Sequence, residues 1–416
     1  MSHRFDPVLF KYKSKPKVSS LEQCQEIYDM IGVNSENDDN LRVFDEEEDG
    51  DSTLMLVHYL EPSAQVASAR GVIIQMIGAS RSTPTIIAGT FPYTEEMSPS
   101  DERVKSIDFT GTATLAYEGT ILRLFWTESQ PPTSGQSGQA SGQASPPTSG
   151  QASPPTSGKW HLSTHKKIDG RRSRWSGAEF GTIWDELWGT ESPSKYLPQI
   201  EGTCYVFLLS DPDNRIVCHI PKKKLYHVGT FTGMKYAPAD ERQWLQPHPN
   251  VTLNKPLSEV TTLDDATNYV RNLSWQIATG VLLATKTGFV KLTPQSYEEK
   301  KAIRGNEPNM RMRYLQLFLE GKGYELEQLF PEKEDFFKEV KCYFNSLVPY
   351  LIELYNYRYI DGQYLRLEKE EHHLLQRVAN KGRLQGQALI NALQAEINNS
   401  TPRQINAMIK HSLIST

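Results

Sequence analysis

The chain has 416 residues, of which 38% are hydrophobic, enough for a sizeable core and for two domains. Its net charge of −5 excludes a general attraction to nucleic acid, so any such binding must be local. Four cysteines without CxxC spacing, Cys24, Cys204, Cys218 and Cys342, exclude a disulfide framework or zinc knuckle and fit reduced thiols. The start of the chain has no apolar signal core, and no stretch of about 18 apolar residues occurs. These features predict a soluble cytoplasmic protein that does not enter a membrane.

In chain order, residues 1–65 read as an N-terminal segment of the core. The acidic run Asp45 to Asp51 within it reads as a solvated loop and is given no role. Strand-like runs follow at Arg70–Gln75 and Thr85–Phe91, rich in β-branched residues and punctuated by glycine and proline. Two more, Thr120–Trp126 and Trp160–Thr164, flank a segment from Ser129 to Gly158 built from Pro, Ser, Thr, Gly, Gln and Ala. No core can form from that composition, so residues 129–158 read as a disordered insert in an expanded hairpin loop.

After the insert, strands are expected at Thr203–Leu209, Arg215–Ile220, Gly280–Leu283 and Gly288–Leu292. Many strands with few intervening helices suggest antiparallel sheets. From about Asn309 the period changes to three and four, as in Phe336, Val340, Phe344, Leu347 and Leu351 and again in Leu374, Val378, Leu389, Leu393 and Ile397, which predicts helices. Pro349 should kink or divide the first of them. The fold class is α+β: antiparallel sheets over residues 66–305, then a helical C-terminal domain over 306–416.

One stretch carries chemistry. His165-Lys166-Lys167-Ile168-Asp169-Gly170-Arg171 holds the pattern KxDG, in which a lysine amine can act as a nucleophile if burial and neighbouring cations disfavour its ammonium form. Lys166, Arg171, Arg172 and Arg174 supply such cations, and they would also hold a triphosphate. Asp169 and Gly170 suit a tight turn that fixes the lysine stem. The same residues also suit a basic surface turn after a strand.

The order of motifs resembles the phage-type RNA ligase family, within the covalent nucleotidyltransferases. Arg70-Gly71 and the segment Gly89–Met97 correspond to that family's region before the lysine, and KIDG follows at Lys167. Leu209–Val217, with Pro212-Asp213-Asn214-Arg215-Ile216-Val217, resembles its PxNRIV segment. Thr279-Gly280-Val281-Leu282-Leu283 falls where the family has EGVVV, and Phe289-Val290-Lys291-Leu292 where it has VKxK.

The resemblance implies a nucleotidyltransferase-like fold, ATP and Mg²⁺ as cofactors, and RNA as the partner. It further implies that Lys167 is the adenylylated nucleophile and that Arg171 and Lys291 contact phosphates; Lys166, as a neighbouring cation, and Asp169 and Gly170, as the turn, are counted with the nucleotide site from the residues themselves. Two departures stand out: Leu208 and Thr279 occupy positions where the family carries glutamates that hold ribose and metal. Glu118, Glu201, Asp211 and Asp213 are candidate substitutes. The favoured function is therefore an ATP-dependent RNA ligase that joins 5′-phosphate and 3′-hydroxyl ends, and the alternative is a non-catalytic nucleotide- or RNA-binding or interaction protein on the same scaffold.

Overall fold

The computed structural model describes residues 15–21, 23–49, 52–77, 82–128, 158–175, 177–307 and 309–414. They form two compact units, divided between Tyr297 and Glu298. The insert expected at 129–158 lies outside the described residues except for Gly158.

The first unit holds three sheets. An antiparallel meander is formed by β1 (Leu41–Asp49), β2 (Ser52–Tyr59), β3 (Arg70–Ile77) and β4 (Ser82–Ala88). Strands β5 (Glu95–Met97), β14 (Gly288–Leu292), β13 (Gly280–Thr285) and β6 (Phe109–Ala116) make a second sheet in that order. The third has the order β11-β10-β9-β7-β8, from β7 (Thr120–Glu128), β8 (Gly158–Ser163), β9 (Thr203–Ser210), β10 (Lys224–Thr232) and β11 (Lys235–Pro238), and β12 (Val251–Leu253) joins β10 in parallel. Strands β7 and β8 are antiparallel neighbours whose last pair is Glu128 with Gly158.

Alternation along the strands builds the layers. Val43, Met55, Val57, Val72 and Ile74 of the meander pack against Ile27, Tyr28 and Ile31 of helix α1 (Cys24–Ile31). The opposite face, with Phe44, Leu54, Leu56, Ile73 and Ile87, packs against Phe125, Cys204, Val206, Leu208 and Tyr226 of the third sheet. That sheet's other face, with Leu122, Tyr205, Phe207 and Leu209, is covered by Phe180, Ile183, Trp184 and Trp188 of α2 (Phe180–Trp188). Strands covered on both faces need apolar residues at nearly every position, and β9 is buried from end to end. Helix α3 (Leu263–Asn272) covers the second sheet through Ala266 and Val270.

Helix α4 (Gln295–Arg304) spans the division between units. The second unit continues with α5 (Met310–Leu319), α6 (Gly323–Leu329), α7 (Glu334–Tyr355), α8 (Lys369–Ala379), α9 (Gly386–Asn398) and α10 (Pro402–Ile414). Together the sheets and this helical region give the α+β class.

Three expectations change. Pro349 does not divide helix α7, which continues through it with Leu347 and Leu351 buried on either side. Residues 45–49 are not a loop but the end of edge strand β1, paired with β2. Residues 215–220 form no strand, because the N–H groups of Ile216, Val217 and Cys218 all point at the carboxylate of Glu118 and none is left for a ladder.

Candidate functional site

Lys167 lies in a tight connection after β8. Thr164 N–H donates to the Lys167 carbonyl at 2.9 Å, and Lys167 N–H to Thr164 Oγ1 at 3.1 Å. Gly170 N–H closes the connection on the Leu162 carbonyl at 2.7 Å. A side chain at 170 would come within 2.8 Å of Thr164 Cγ2, so the glycine of KIDG is required by close packing. Asp169 accepts from Arg171 N–H at 3.0 Å, the local turn expected of an aspartate here.

Ile168 is buried in the layer between the meander and the third sheet, which turns its neighbour Lys167 outward. The burial expected for a nucleophilic lysine is absent: the side chain keeps 54% of its exposure, and its Nζ is ion-paired with Asp45 Oδ1 at 3.1 Å. Asp45 Oδ2 also accepts from Ile168 N–H at 2.9 Å. The acidic run given no role therefore holds both side chain and backbone of the lysine turn.

Beneath the turn lies Arg123, fully buried on β7. Its guanidinium donates to the Gly71 carbonyl and, at 2.6 Å, to the Thr164 carbonyl, tying the Arg70-Gly71 strand to the lysine connection. A side chain at Gly71, whose φ is +78°, would overlap the His165 carbonyl. Burial pushes the Arg123 guanidinium down to about 10. The His58 imidazole is pushed down to about 3 by burial, with Lys166, Arg70 and Arg123 adding repulsion. His165 is also held well below the usual histidine range by burial and by the same arginines, and its Nε2 lies 3.0 Å from Thr90 Oγ1. Arg70, Arg123 and Lys166 thus gather positive charge around the two neutral histidines. A lone arginine in the apolar run ILRLFW was the signal for Arg123; Asp45 had none beyond its charge.

The other matched positions have structural partners. Arg171 forms an ion pair with Asp185 of α2. Lys291 pairs with Glu96 at 3.0 Å, its neighbour across the parallel β14–β5 ladder, and lies 5.7 Å from the ring centroid of Tyr297. Leu208 is 6% exposed in the inter-sheet layer. Thr279 donates its hydroxyl to the Ala116 carbonyl at 2.7 Å.

The substitute carboxylates are also engaged. Besides the three backbone donors, Glu118 accepts from the Tyr297 hydroxyl at 3.3 Å, and burial, with the Glu118 charge beside it, pushes that phenol up. Asp211 caps the turn at Asp213 N–H, 3.0 Å away. Burial raises Glu201 above the usual carboxylate range. His227 accepts from Trp244 Nε1 at 3.2 Å in a buried setting. Among the described residues no group of three His, Cys, Asp or Glu side chains converges as metal ligands, and no helix is long and apolar enough to cross a membrane. A cleft of about 620 Å³ opens elsewhere in the first unit, lined in part by Ile31, Thr90, Tyr236 and Phe289.

No family model matches the chain. The immediate-early protein ICP-46 homolog of Invertebrate iridescent virus 3 is 24% identical over 287 residues, covering 64% of this chain and 55% of that protein. The chain thus spans about half the length of the curated relative it matches. Among solved structures, an archaeal ATP-dependent RNA ligase superposes with a TM-score of 0.38 at 11% identity, covering 94% of this chain and 89% of that one.

Proposed function

We propose that the first unit is an RNA-ligase-like nucleotidyltransferase scaffold that binds RNA or nucleotide at the Lys167 turn without sealing ends. The order of motifs from Arg70-Gly71 through KIDG to Lys291 supports the scaffold. The observation that carries the loss of sealing is Leu208, at the position of a ribose-holding glutamate and packed in the apolar layer between two sheets. Thr279, at the second glutamate position, has its hydroxyl committed to a carbonyl. Mg²⁺ requires several anionic or carbonyl oxygens in octahedral array, and the buried Glu118 carboxylate already accepts from backbone and Tyr297 donors. This donor set does not fit the metal. Arg70, Lys166 and Lys167 fit the phosphates of ATP or RNA as charge partners.

A second reading, an active ATP-dependent RNA ligase with Lys167 as the adenylylated nucleophile, is favoured by one observation. The Lys167 amine is half-exposed and held by a carboxylate in a surface ion pair, an interaction of about 0–1 kcal/mol that a triphosphate would displace. Incubation with Mg²⁺ and ATP carrying a tagged α-phosphate separates the two. Retention of nucleotide or RNA without covalent label supports the first reading, a Lys167-dependent adduct supports the second, and neither label nor binding refutes both.

A further inference from the structure

Immediately after the lysine turn the chain reads Arg171-Arg172-Ser173-Arg174-Trp175. The backbone of this loop is pinned on both sides. Ser173 N–H donates to the Gly170 carbonyl at 3.0 Å, Phe180 N–H to the Ser173 carbonyl at 2.8 Å, and Gly181 N–H to the Arg171 carbonyl at 2.7 Å. A side chain at Gly181 would come within 2.9 Å of Arg171 Cβ, so the loop lies tightly against the first turn of α2. From this fixed base Arg172 and Arg174 point to solvent. Among the described residues neither has a carboxylate partner, whereas Arg171 has Asp185.

Trp175 is 65% exposed, while Trp126, Trp184 and Trp188 are each 5% exposed or less. An indole is a large apolar surface that folding normally covers. Here it stands in water next to Arg174, just beyond a loop base held at Arg171 and Ser173. Aromatic faces beside arginines are what single-stranded nucleic acid binds, because each base offers a π-face and each linkage a phosphate. A duplex hides those faces within its stack.

We propose that the 171–175 loop is a contact for single-stranded RNA, in which Trp175 stacks on a base while Arg172 and Arg174 meet flanking phosphates. This rests on the reading of the first unit as an RNA binder and gives that reading its strand class and contact residues. The loop follows directly on the KIDG connection, so a strand held there runs beside Lys167.

The test uses the full chain and a fluorescein-labelled oligouridine of about 12 nucleotides, a length within the usual single-strand site size, with anisotropy read at several salt concentrations. Trp175→Ala is expected to weaken binding roughly tenfold or more, the effect of losing one stacked base, and Trp175→Phe to restore part of it. The double variant Arg172→Gln, Arg174→Gln is expected to lower the slope of log affinity against log salt by about 1.4, from two lost phosphate contacts. A labelled RNA duplex should bind more weakly and be indifferent to Trp175→Ala. Melting curves of the variants should match the parent, since these side chains are exposed. If the parent binds oligouridine and Trp175→Ala binds it equally well, the loop assignment is overturned while the RNA-binding reading stands. Competition by an acidic peptide with no dependence on Trp175 would assign the loop to a protein partner instead and overturn the proposal. A parent chain that does not bind the oligonucleotide overturns both.

Discussion

Leu208→Glu restores the residue that the ligase-like motif order calls for, and it separates a usable pocket from a filled one. Leu208 is 6% exposed and packs in the same cluster as Val206, Tyr226 and Ile168. Removing its apolar contacts costs about 2–3 kcal/mol. A carboxyl group in such a layer has its pKa raised to about 8–9 against an ordinary value near 4.3. Keeping it neutral at about pH 7 therefore costs a further 3–4 kcal/mol or so, at 1.36 kcal/mol per unit. The total, about 5–7 kcal/mol, is comparable with the stability of a whole domain. The variant should melt at least about 10 °C below the parent, and Leu208→Met, which keeps volume and polarity, should lose less than about 1.5 kcal/mol. The sign with pH is also set. A carboxyl with a raised folded pKa destabilises above its unfolded pKa, so the gap between variant and parent should shrink by roughly 2–3 kcal/mol on going from about pH 7 to pH 5. Thermal and urea melts at both pH values measure this. A variant that melts within about 1 kcal/mol of the parent, with a gap indifferent to pH, would show that position 208 faces a solvated pocket and would refute the reasoning.

Further outcomes follow from other contacts. Arg123→Lys keeps the charge but replaces a fork with a single point donor, so the Gly71 or the Thr164 carbonyl loses its partner; the expected loss is about 1–3 kcal/mol in a urea melt, and no loss would remove Arg123 as the tie beneath the lysine turn. Burial holds His58 and His227 at about 3 against 6.5 unfolded. Such a depressed histidine adds stability that is present above 6.5 and lost as pH falls towards 3, so each should contribute a loss of about 2 kcal/mol between about pH 7 and pH 5. His58→Gln should flatten that dependence, and an unchanged slope would count against its neutral state. Replacing residues 129–157 with a two-residue turn should shift the melt by less than about 5 °C, because Glu128 and Gly158 already pair across β7 and β8 and loop closure varies by only about 0.6 kcal/mol per doubling of length; a larger fall would mean that the segment packs.

Burial on both faces did not by itself make a strand legible: β14 was read although half-buried, whereas β2 and β10, buried along nearly their whole length, were not. Runs such as Arg70–Gln75 and Thr203–Leu209 are rich in β-branched, aromatic and other apolar residues because the meander and the third sheet are covered on both sides. Strand β1 was missed because an edge strand can carry a row of acids, which alone reads as a loop. Residues 215–220 looked like a strand by composition, but a distant carboxylate, Glu118, captures their backbone donors, and no local pattern encodes that. The lysine turn itself was legible, since KIDG names both the turn residues and the close-packed glycine. What holds it was not: Asp45 lies 122 positions away in sequence, and Arg123 donates to carbonyls 52 and 41 positions distant. The commitments of Arg171, Lys291 and Thr279 to Asp185, Glu96 and Ala116 depend on strand register and helix placement, which composition does not reveal.

Intact-mass measurement after incubation with ATP and Mg²⁺, on the parent chain and on Lys167→Ala, tests the central claim most directly. The packing of Leu208 and the commitment of Thr279 predict an unchanged mass for both proteins, even at nucleotide concentrations at which non-covalent retention is measured. One added AMP on the parent, absent from Lys167→Ala, would contradict the account and make the chain a working nucleotidyltransferase.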